Sequence, residues 1–324
     1  MTGPRPGGLR RRAAPAVVAL GGGHGLAASL SALRRVTPHL TAVVTVADNG
    51  GSSGRLREEL DVLPPGDLRM ALAALCGDDE WGRTWADVLQ YRFTSGGALH
   101  DHAVGNLLIV AIWELLGQHV DGLDLVGRLL GAHGRVLPMS AVPLDITARV
   151  QGVDDQAGQV EVVRGQVQVA TTPGHVLEVA LEPADPPVCP EAAAAIRAAD
   201  VVVVGPGSWF TSVIPNLLVP GLLEALLDTQ ARRVVVLNLA AQPGETSGFS
   251  AETHLEVLGA HAPELSIDVV LADAGSVTNR GRLAQSAAAL GAELVVADVA
   301  VSDGTPRHDP LRLAAALGGL VRGR

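Results

Sequence analysis

Short, wholly apolar runs that end at glycine-rich segments are the feature that most limits how this chain can fold. Ala16–Leu20 reads AVVAL and is followed by GGGHG, and Val201–Val204 reads VVVV and is followed by GPGS. Such runs are typical of strands that are buried on both faces of a parallel sheet. Leu26, Leu30 and Leu33 recur at helical spacing after the first run, so we expect the chain to open with a βαβ unit.

The same strand pattern returns along the rest of the chain. Residues 81–131 read as mainly helical, whereas residues 145–182 alternate between apolar and polar side chains, which indicates an antiparallel excursion. The sequence predicts an α/β fold: a Rossmann-like, doubly wound, mostly parallel sheet with an inserted antiparallel segment. We expect a disordered tail over residues 1–14 and a single nucleotide-binding domain over residues 15–324. The further predicted strands are Thr41–Ala47, Val234–Leu239, Val269–Ala272 and Leu294–Val299.

Charge and composition exclude several classes of function. The formal net charge is −10, which disfavours nucleic acid and anionic membranes as partners. The chain contains no lysine, which excludes a P-loop lysine and a Schiff-base lysine. No apolar run approaches the roughly 20 residues that a membrane span needs. The two cysteines, Cys76 and Cys189, fit no disulfide or zinc spacing, so we expect a cytoplasmic protein.

The first glycine-rich segment, Gly21, Gly22, Gly23, His24 and Gly25, fits a phosphate-binding loop. Glycine lets the backbone approach phosphate closely, and a helix start offers free N–H groups. From Gly23 onward the segment also matches the G-x-G-x-x-A dinucleotide fingerprint, and Asp48 follows about 20 residues later, where a ribose-binding acid is expected. NAD is therefore one candidate cofactor, and a tight turn without a ligand is the simpler alternative.

Two further segments follow predicted strands and suit an anion. One continues from Asp48 as Asn49, Gly50, Gly51, Ser52, Ser53, Gly54 and Arg55, and we interpret it as a loop of backbone amides, hydroxyls and a guanidinium. The other contains Gly205, Gly207 and Ser208. Because ligands of open α/β sheets bind beyond the carboxyl ends of the strands, three such segments at one edge predict a binding site.

Other polar residues add less. Asn238 and Gln242 follow another predicted strand and are candidates to contact a sugar or a base. His100, Asp101 and His102 have the chemistry of metal ligands, but H-x-H spacing is not specific and no further ligand can be identified. We therefore assign no metal ligands.

Several longer motifs occur in a fixed order: GGGHGL, VTVADNGGSSGRLREEL, LPPGDLR, HAVGNLL, GPGSWFTSVIPNLLVPG and QPGETSGF. Together they resemble the bacterial gluconeogenesis-factor family, the YvcK-like proteins. More distantly, they resemble the 2-phospho-lactate transferases that build a deazaflavin coenzyme. The resemblance extends from Val17 to the stretch His308-Asp309-Pro310.

The resemblance implies a protein that binds UDP-N-acetylglucosamine or a related UDP-sugar. It also implies a regulator of cell shape and cell-wall synthesis during growth on gluconeogenic carbon sources. Its expected partners are the nucleotide sugar and cell-wall synthesis proteins, and we expect a homo-oligomer. Asn106 in HAVGNLL is a further implied binding residue, and Arg307 corresponds to a C-terminal arginine of the family's nucleotide-sugar site.

The transferase branch implies an alternative function. There a divalent metal and acids of the Asp48 segment help to move a phospho-lactyl group from a nucleotide-activated donor, and Asp48 and Asp67 would be the catalytic acids. The chain departs from the common pattern in three places. His24 stands where Thr is frequent, Asn49 replaces a second acid, and Met70 stands where Asn is common. The loss of one acid weakens the case for metal-assisted transfer.

Overall fold

The computed structural model describes residues 14–153 and 159–323. The predicted tail, residues 1–14, lies outside the described residues except for Ala14. The α/β prediction is confirmed, because the described chain forms a mostly parallel sheet, a small antiparallel sheet and surrounding helices.

In the part of the chain that the structure describes, ten strands form two sheets. The larger sheet has the order β10-β9-β8-β7-β1-β2-β3, and all of its neighbouring strands are parallel. The smaller sheet has the order β5-β4-β6 and is antiparallel, as the alternation over residues 145–182 predicted. The strands are β1 Ala16–Gly21, β2 His39–Val44, β3 Arg135–Pro138, β4 Asp145–Gln151, β5 Val160–Arg164, β6 His175–Glu182, β7 Val201–Val204, β8 Arg232–Val236, β9 Val269–Asp273 and β10 Glu293–Ala297.

Helices connect the strands and pack on the larger sheet. One irregular element, a π-helical turn at Trp209–Val213, follows β7, and all five of its residues are buried. The α-helices are α1 Gly23–Leu33, α2 Gly51–Leu60, α3 Gly66–Leu75, α4 Glu80–Gln90, α5 Val104–Leu116, α6 His119–Leu130, α7 Gln166–Ala170, α8 Pro190–Arg197, α9 Pro215–Leu218, α10 Pro220–Asp228, α11 Ala251–His261, α12 Arg280–Ala289 and α13 Pro310–Arg322.

The core consists mainly of aliphatic side chains from the two faces of the larger sheet. Every residue of β1 and β7 is buried, which explains why these strands are continuous apolar runs instead of alternating ones. On α1, Leu26, Leu30 and Leu33 face the core, as their spacing predicted. Trp209 and Phe210 are the largest fully buried side chains.

The interpretation of the segment from Asp48 to Arg55 as a loop is wrong. Residues from Gly51 onward form α2, and Ser52 and Ser53 are 2% and 3% exposed. Glycine and serine have low helix propensity, but burial of Leu56 and of the two serines against the rest of the fold outweighs it.

Within the described residues, no single helix is both long and apolar enough to cross a membrane. The bent pair Trp209–Leu218 and Pro220–Asp228 passes this criterion by length and composition only. Its residues are largely buried, as in the core helices of many proteins.

A buried and an exposed leucine, both on helices, test how much core packing contributes to the free energy of unfolding. Leu30 on α1 is 0% exposed, whereas Leu115 on α5 is 82% exposed. We expect Leu30→Ala to lower the free energy of unfolding by about 2–5 kcal/mol, because it removes buried methyl groups and leaves a cavity. Leu115→Ala should change it by less than about 0.5 kcal/mol. Urea unfolding followed by circular dichroism measures both, and equal costs would contradict this packing.

Candidate functional site

The strand order places a crevice at the middle of the larger sheet. From β1 the sheet grows through β2 and β3 on one side and through β7 to β10 on the other. The connections therefore leave β1 and β7 in opposite directions, and ligands of doubly wound sheets bind at such a switch point. The segments after β1, β2 and β7 come from three adjacent strands, so the predicted glycine-rich segments share one edge.

Glycines allow the two segments at the crevice to touch through their backbones. A Cβ atom on Gly25 would overlap the Pro206 carbonyl oxygen and would lie 2.5 Å from the Gly207 Cα atom. A Cβ atom on Gly22 would collide with the Asp67 carboxylate and would lie 3.2 Å from the Ser212 hydroxyl. The start of α1 is thus packed directly on the segment after β7.

An inner cavity of about 300 Å³ lies between these segments. Its wall is mainly polar: glycine backbone, hydroxyl groups, amides, the His24 imidazole and the carboxylates of Asp48 and Asp67, with Met70 as the one large apolar side chain of the lining. The lining residues are Gly22, Gly23, His24, Gly25, Thr45, Asp48, Asp67, Met70, Gln166, Gly207, Ser208, Thr211, Ser212 and Gln242.

An outer groove of about 520 Å³ continues from the inner cavity. The two share His24, Gly25, Gly207 and Gln242. The outer groove differs in its chemistry, because most of its side chains are apolar and its charged side chain is Arg307. The remaining lining residues are Ala28, Pro206, Asn238, Leu239, Ala240, Ala241, Pro243, Val301, Pro306, Arg307, His308 and Pro310.

Of the predicted site residues, those that line one or both of these cavities are Gly22, Gly23, His24, Gly25, Asp48, Asp67, Gly207, Ser208, Asn238, Gln242 and Arg307. Those that lie outside both linings are Gly21, Asn49, Gly50, Gly51, Ser52, Ser53, Arg55, Asn106 and Gly205. Several in the second group hold the first group in place.

Asn238 fixes the segment after β7 by its side-chain amide. Its Oδ1 accepts from the Gly207 N–H at 2.9 Å, and its Nδ2 donates to the Gly207 carbonyl oxygen at 2.8 Å. Gln242 donates from Nε2 to the Ser208 hydroxyl at 3.3 Å, while its buried Oε1 lacks a hydrogen-bond partner. Asn238 therefore shapes the cavity, and Gln242 keeps an acceptor available.

Asp67 lies in the first turn of α3 and opens onto the inner cavity. Burial raises the pKa of its carboxyl group to about 7, and the nearby charge of Asp48 acts in the same direction. A hydrogen bond from the Gly23 N–H opposes this change. Asp48 accepts from the Gly50 N–H at 2.9 Å and so ties the end of the β2 connection to the start of α2.

Ser52 and Asn106, which we expected to contact ligand, instead form a buried polar network. The Ser52 hydroxyl lies 3.0 Å from His102 Nδ1 and accepts from Asn106 Nδ2 at 3.0 Å. Asn106 Oδ1 accepts from Arg69 Nε at 2.9 Å. The network joins α2, α3 and α5 behind the cavity wall. Both side chains are buried outside the two linings, at 2% and 1% exposed, and their contact with a ligand stays a prediction.

Arg55 and Asn49 also point away from the crevice. Arg55 Nη2 donates to the His100 carbonyl oxygen at 2.8 Å and borders a separate open cleft of about 860 Å³. Asn49 donates from Nδ2 to Gln168 Oε1 at 3.1 Å and accepts from the Val167 N–H at 3.0 Å. Because Gly51 begins α2, the position of Arg55 on that helix directs its side chain to the open cleft, and Arg55 does not line the cavity that contains Asp48.

Arg307 supplies positive charge at the rim of the outer groove. Arg307 donates from Nη2 to Asp303 Oδ2 at 2.8 Å, and both side chains are exposed. His308 is more enclosed, and burial lowers the pKa of its imidazole to about 4. His308 is therefore neutral at physiological pH, and Arg307 is the permanent cation of this groove.

Sequence reasoning missed several residues of the inner cavity. Gln166 is supplied by α7 of the antiparallel excursion, and no local motif marks it. Thr45 lies just beyond β2 and donates to the Ser212 carbonyl oxygen at 2.9 Å. Thr211 and Ser212 belong to the π-helical turn and follow GPGS after Trp209 and Phe210, so the nearby hydroxyl groups were a usable signal for these two.

Glu245 is another residue that the sequence motifs did not identify as important. It is 3% exposed and lies beneath the cavity wall. The backbone amides of Trp209 and Phe210 and the hydroxyls of Ser208 and Thr211 lie near its carboxyl group. Neither oxygen reaches full hydrogen-bond geometry with them. Burial raises the pKa of Glu245 to about 7.

A divalent metal would find few ligands here. Over residues 14–153 and 159–323, no three His, Cys, Asp or Glu side chains gather in a group that could hold a metal ion. Asp48 and Asp67 would supply two carboxylates, and Mg²⁺ commonly takes its other ligands from substrate phosphate and water. Such an ion would neutralise charge on a transferred group. Asn49, in the position of the missing acid, is turned away.

The fold and the crevice define a Rossmann-like α/β protein with a divided cavity at the switch point of its sheet. The family described as "2-phospho-L-lactate transferase CofD" matches residues 17–307. The chain belongs to this family, and its curated relatives carry the name gluconeogenesis factor, as the motifs indicated. The "Putative gluconeogenesis factor" of Mycobacterium tuberculosis (strain CDC 1551 / Oshkosh) is 57% identical over 307 residues, which cover 94% of this chain and 90% of that protein.

More distant relatives are similar to this chain over nearly its whole length. The "Gluconeogenesis factor" of Listeria innocua is 35% identical over 320 residues, which cover 95% of this chain and 96% of that protein. A crystal structure of a UPF0052 family member from Bacillus halodurans is similar with a TM-score of 0.82 and 34% identity. That similarity covers 94% of this chain and 98% of the solved one, and it supports the fold described above.

The buried carboxyl group of Glu245 makes stability depend on pH. A carboxyl whose folded-state pKa is raised stabilises the fold at low pH, and this contribution is lost as pH rises toward the folded-state value. We expect the melting temperature to fall between about pH 5 and pH 8, and Glu245→Gln to reduce that fall by a few degrees. The exposed Glu256→Gln is the control. Parallel melting curves for Glu245→Gln and the wild type at every pH would contradict this assignment.

Proposed function

We propose that this protein is a nucleotide-sugar-binding regulator whose ligand is UDP-N-acetylglucosamine or a close relative. The observation that carries the proposal is the divided crevice at the switch point, where a polar inner cavity joins a more apolar groove that contains Arg307. A ligand with a polar sugar, a diphosphate and a flat base has the same three-part character. The start of α1 lies at the junction, and its partial positive charge would favour the diphosphate there.

The cellular part of the proposal is supported by the names of the relatives. Curated relatives are called gluconeogenesis factors, and the family resemblance links such proteins to cell shape and cell-wall synthesis on gluconeogenic carbon sources. We therefore propose that the protein acts in the cytoplasm, where loading with a nucleotide sugar changes its contacts with cell-wall synthesis proteins. Homo-oligomerisation remains part of the proposal.

The test of this function compares ligands and variants. We expect UDP-N-acetylglucosamine to raise the melting temperature by a few degrees at about one hundred times its dissociation constant, which corresponds to about 2.7 kcal/mol. NAD and GDP should raise it less. We expect Gly22→Ala to weaken binding about tenfold or more, because the added methyl group displaces Asp67 and Ser212 at the cavity wall.

Gly127→Ala is the matched control, because a Cβ atom at Gly127 on α6 meets nothing within 4 Å. It should bind like the wild type. Circular dichroism and the melting temperature without ligand establish that Gly22→Ala is folded. A clear shift with NAD and none with any UDP-sugar would replace this proposal with an oxidoreductase.

A second function, transfer of a phospho-group from a nucleotide-activated donor, is favoured by one observation. Asp48 and Asp67 line the same cavity in a family whose description names a transferase. In a metal-assisted transfer, Asp48→Asn should lower turnover by about two orders of magnitude or more while ligand binding survives.

We expect instead that the wild type shows no metal-dependent consumption of nucleotide-activated substrates. Asp48→Asn should then change ligand affinity alone, by about 1–3 kcal/mol. The assay is product detection by mass spectrometry with and without Mg²⁺. Turnover by the wild type that disappears in Asp48→Asn would favour the transferase.

A further inference from the structure

The inner cavity is rich in hydrogen-bond acceptors and carries two carboxylates. Asp48 and Asp67 contribute the carboxylates, and no arginine belongs to the lining among residues 14–153 and 159–323. Arg69 lies behind the wall, where its charge acts on both carboxylates, and its guanidinium is held by Asn106 outside the lining. A phosphate placed inside would meet like charge at short range, whereas sugar hydroxyls would find acceptors.

One buried polar atom of the lining lacks a partner, and this is an independent sign of a polar occupant. Gln242 Oε1 is buried and accepts no hydrogen bond within the described residues. The Thr211 hydroxyl, by contrast, lies near the carboxyl group of Glu245. Because buried polar groups are nearly always hydrogen-bonded, Gln242 Oε1 fits a ligand that carries a hydroxyl donor.

The outer groove suits the other end of the molecule. Its lining contains Leu239, Pro243, Val301 and Pro310, which offer apolar surface to a flat base, and Arg307 offers charge at its rim. The residues shared by the two cavities include His24 and Gly25 of the first turn of α1. An eleven-residue helix begins there, and its partial positive charge favours a diphosphate.

We propose that the nucleotide sugar binds with its sugar inward, against Asp48 and Asp67, its diphosphate over the start of α1, and its nucleoside in the outer groove. The assignment rests on the proposed function and adds a rule of specificity. The inner cavity accepts an uncharged sugar and rejects an anionic one, because a carboxylate on the sugar ring would face two carboxylates of the protein.

The experiment uses two ligands that differ only at carbon 6 of the sugar. UDP-glucose carries a hydroxymethyl group there, and UDP-glucuronic acid carries a carboxylate. We expect isothermal titration calorimetry at about pH 8 to show UDP-glucuronic acid binding about tenfold or more weakly than UDP-glucose. UDP alone serves as the ligand without a sugar.

Two variants test which residues discriminate between UDP-glucose and UDP-glucuronic acid. Asp48→Asn should narrow the gap between the two UDP-sugars severalfold and leave the affinity for UDP nearly unchanged, because UDP does not enter the inner cavity. Arg307→Gln should weaken all three ligands by a similar factor and keep the gap. If Asp48→Asn fails to fold, the comparison of UDP-glucose with UDP-glucuronic acid on the wild type still tests the assignment.

The outcomes separate the two proposals. Equal affinity of the wild type for UDP-glucose and UDP-glucuronic acid, or a gap that Asp48→Asn leaves intact, would overturn the inward sugar while nucleotide-sugar binding stands. Failure of every UDP ligand to bind would overturn the proposed function and this assignment together.

Discussion

The contact between the first turn of α1 and the segment after β7 determines the rest of the site. Gly25 packs so close to the Pro206 carbonyl and the Gly207 Cα atom that a Cβ atom on Gly25 would overlap both. Asn238 holds Gly207 from the opposite side with two hydrogen bonds. The inner cavity and the outer groove meet at this contact, because Gly25 and Gly207 belong to the lining of both.

A second layer of polar contacts keeps this arrangement in place. Ser52, Asn106 and Arg69 connect three helices behind one wall of the inner cavity. On the other side, Asn216 donates to the Thr45 hydroxyl at 3.0 Å and to the Ser212 carbonyl oxygen at 2.8 Å. Removing one partner from such a buried network leaves the other unpaired, so these residues act on ligand binding through the geometry of the wall.

The sequence predicted the sheet well, because a strand that is buried on both faces must be a continuous apolar run. It also placed Gly22, Gly25 and Gly207 correctly at the crevice, since glycine is needed where backbones meet. It failed for Ser52 and Arg55, because the hydroxyls and cation that suggested a loop belong to a helix held by tertiary packing. Gln166 and Glu245 could not be found from local patterns, because only the three-dimensional fold brings Gln166 to the cavity and Glu245 beneath its wall.

Asn49 shows how a changed residue can be understood from the element it contacts. In the family pattern an acidic residue is common at this position, and Asn49 replaces it. In the structure its amide joins the connection after β2 to α7, the helix that supplies Gln166 to the cavity wall. An aspartate could accept from the Val167 N–H but would repel Gln168 Oε1 instead of donating to it. Asparagine at this position therefore carries no negative charge and forms hydrogen bonds that join the antiparallel segment to the connection after β2 of the larger sheet.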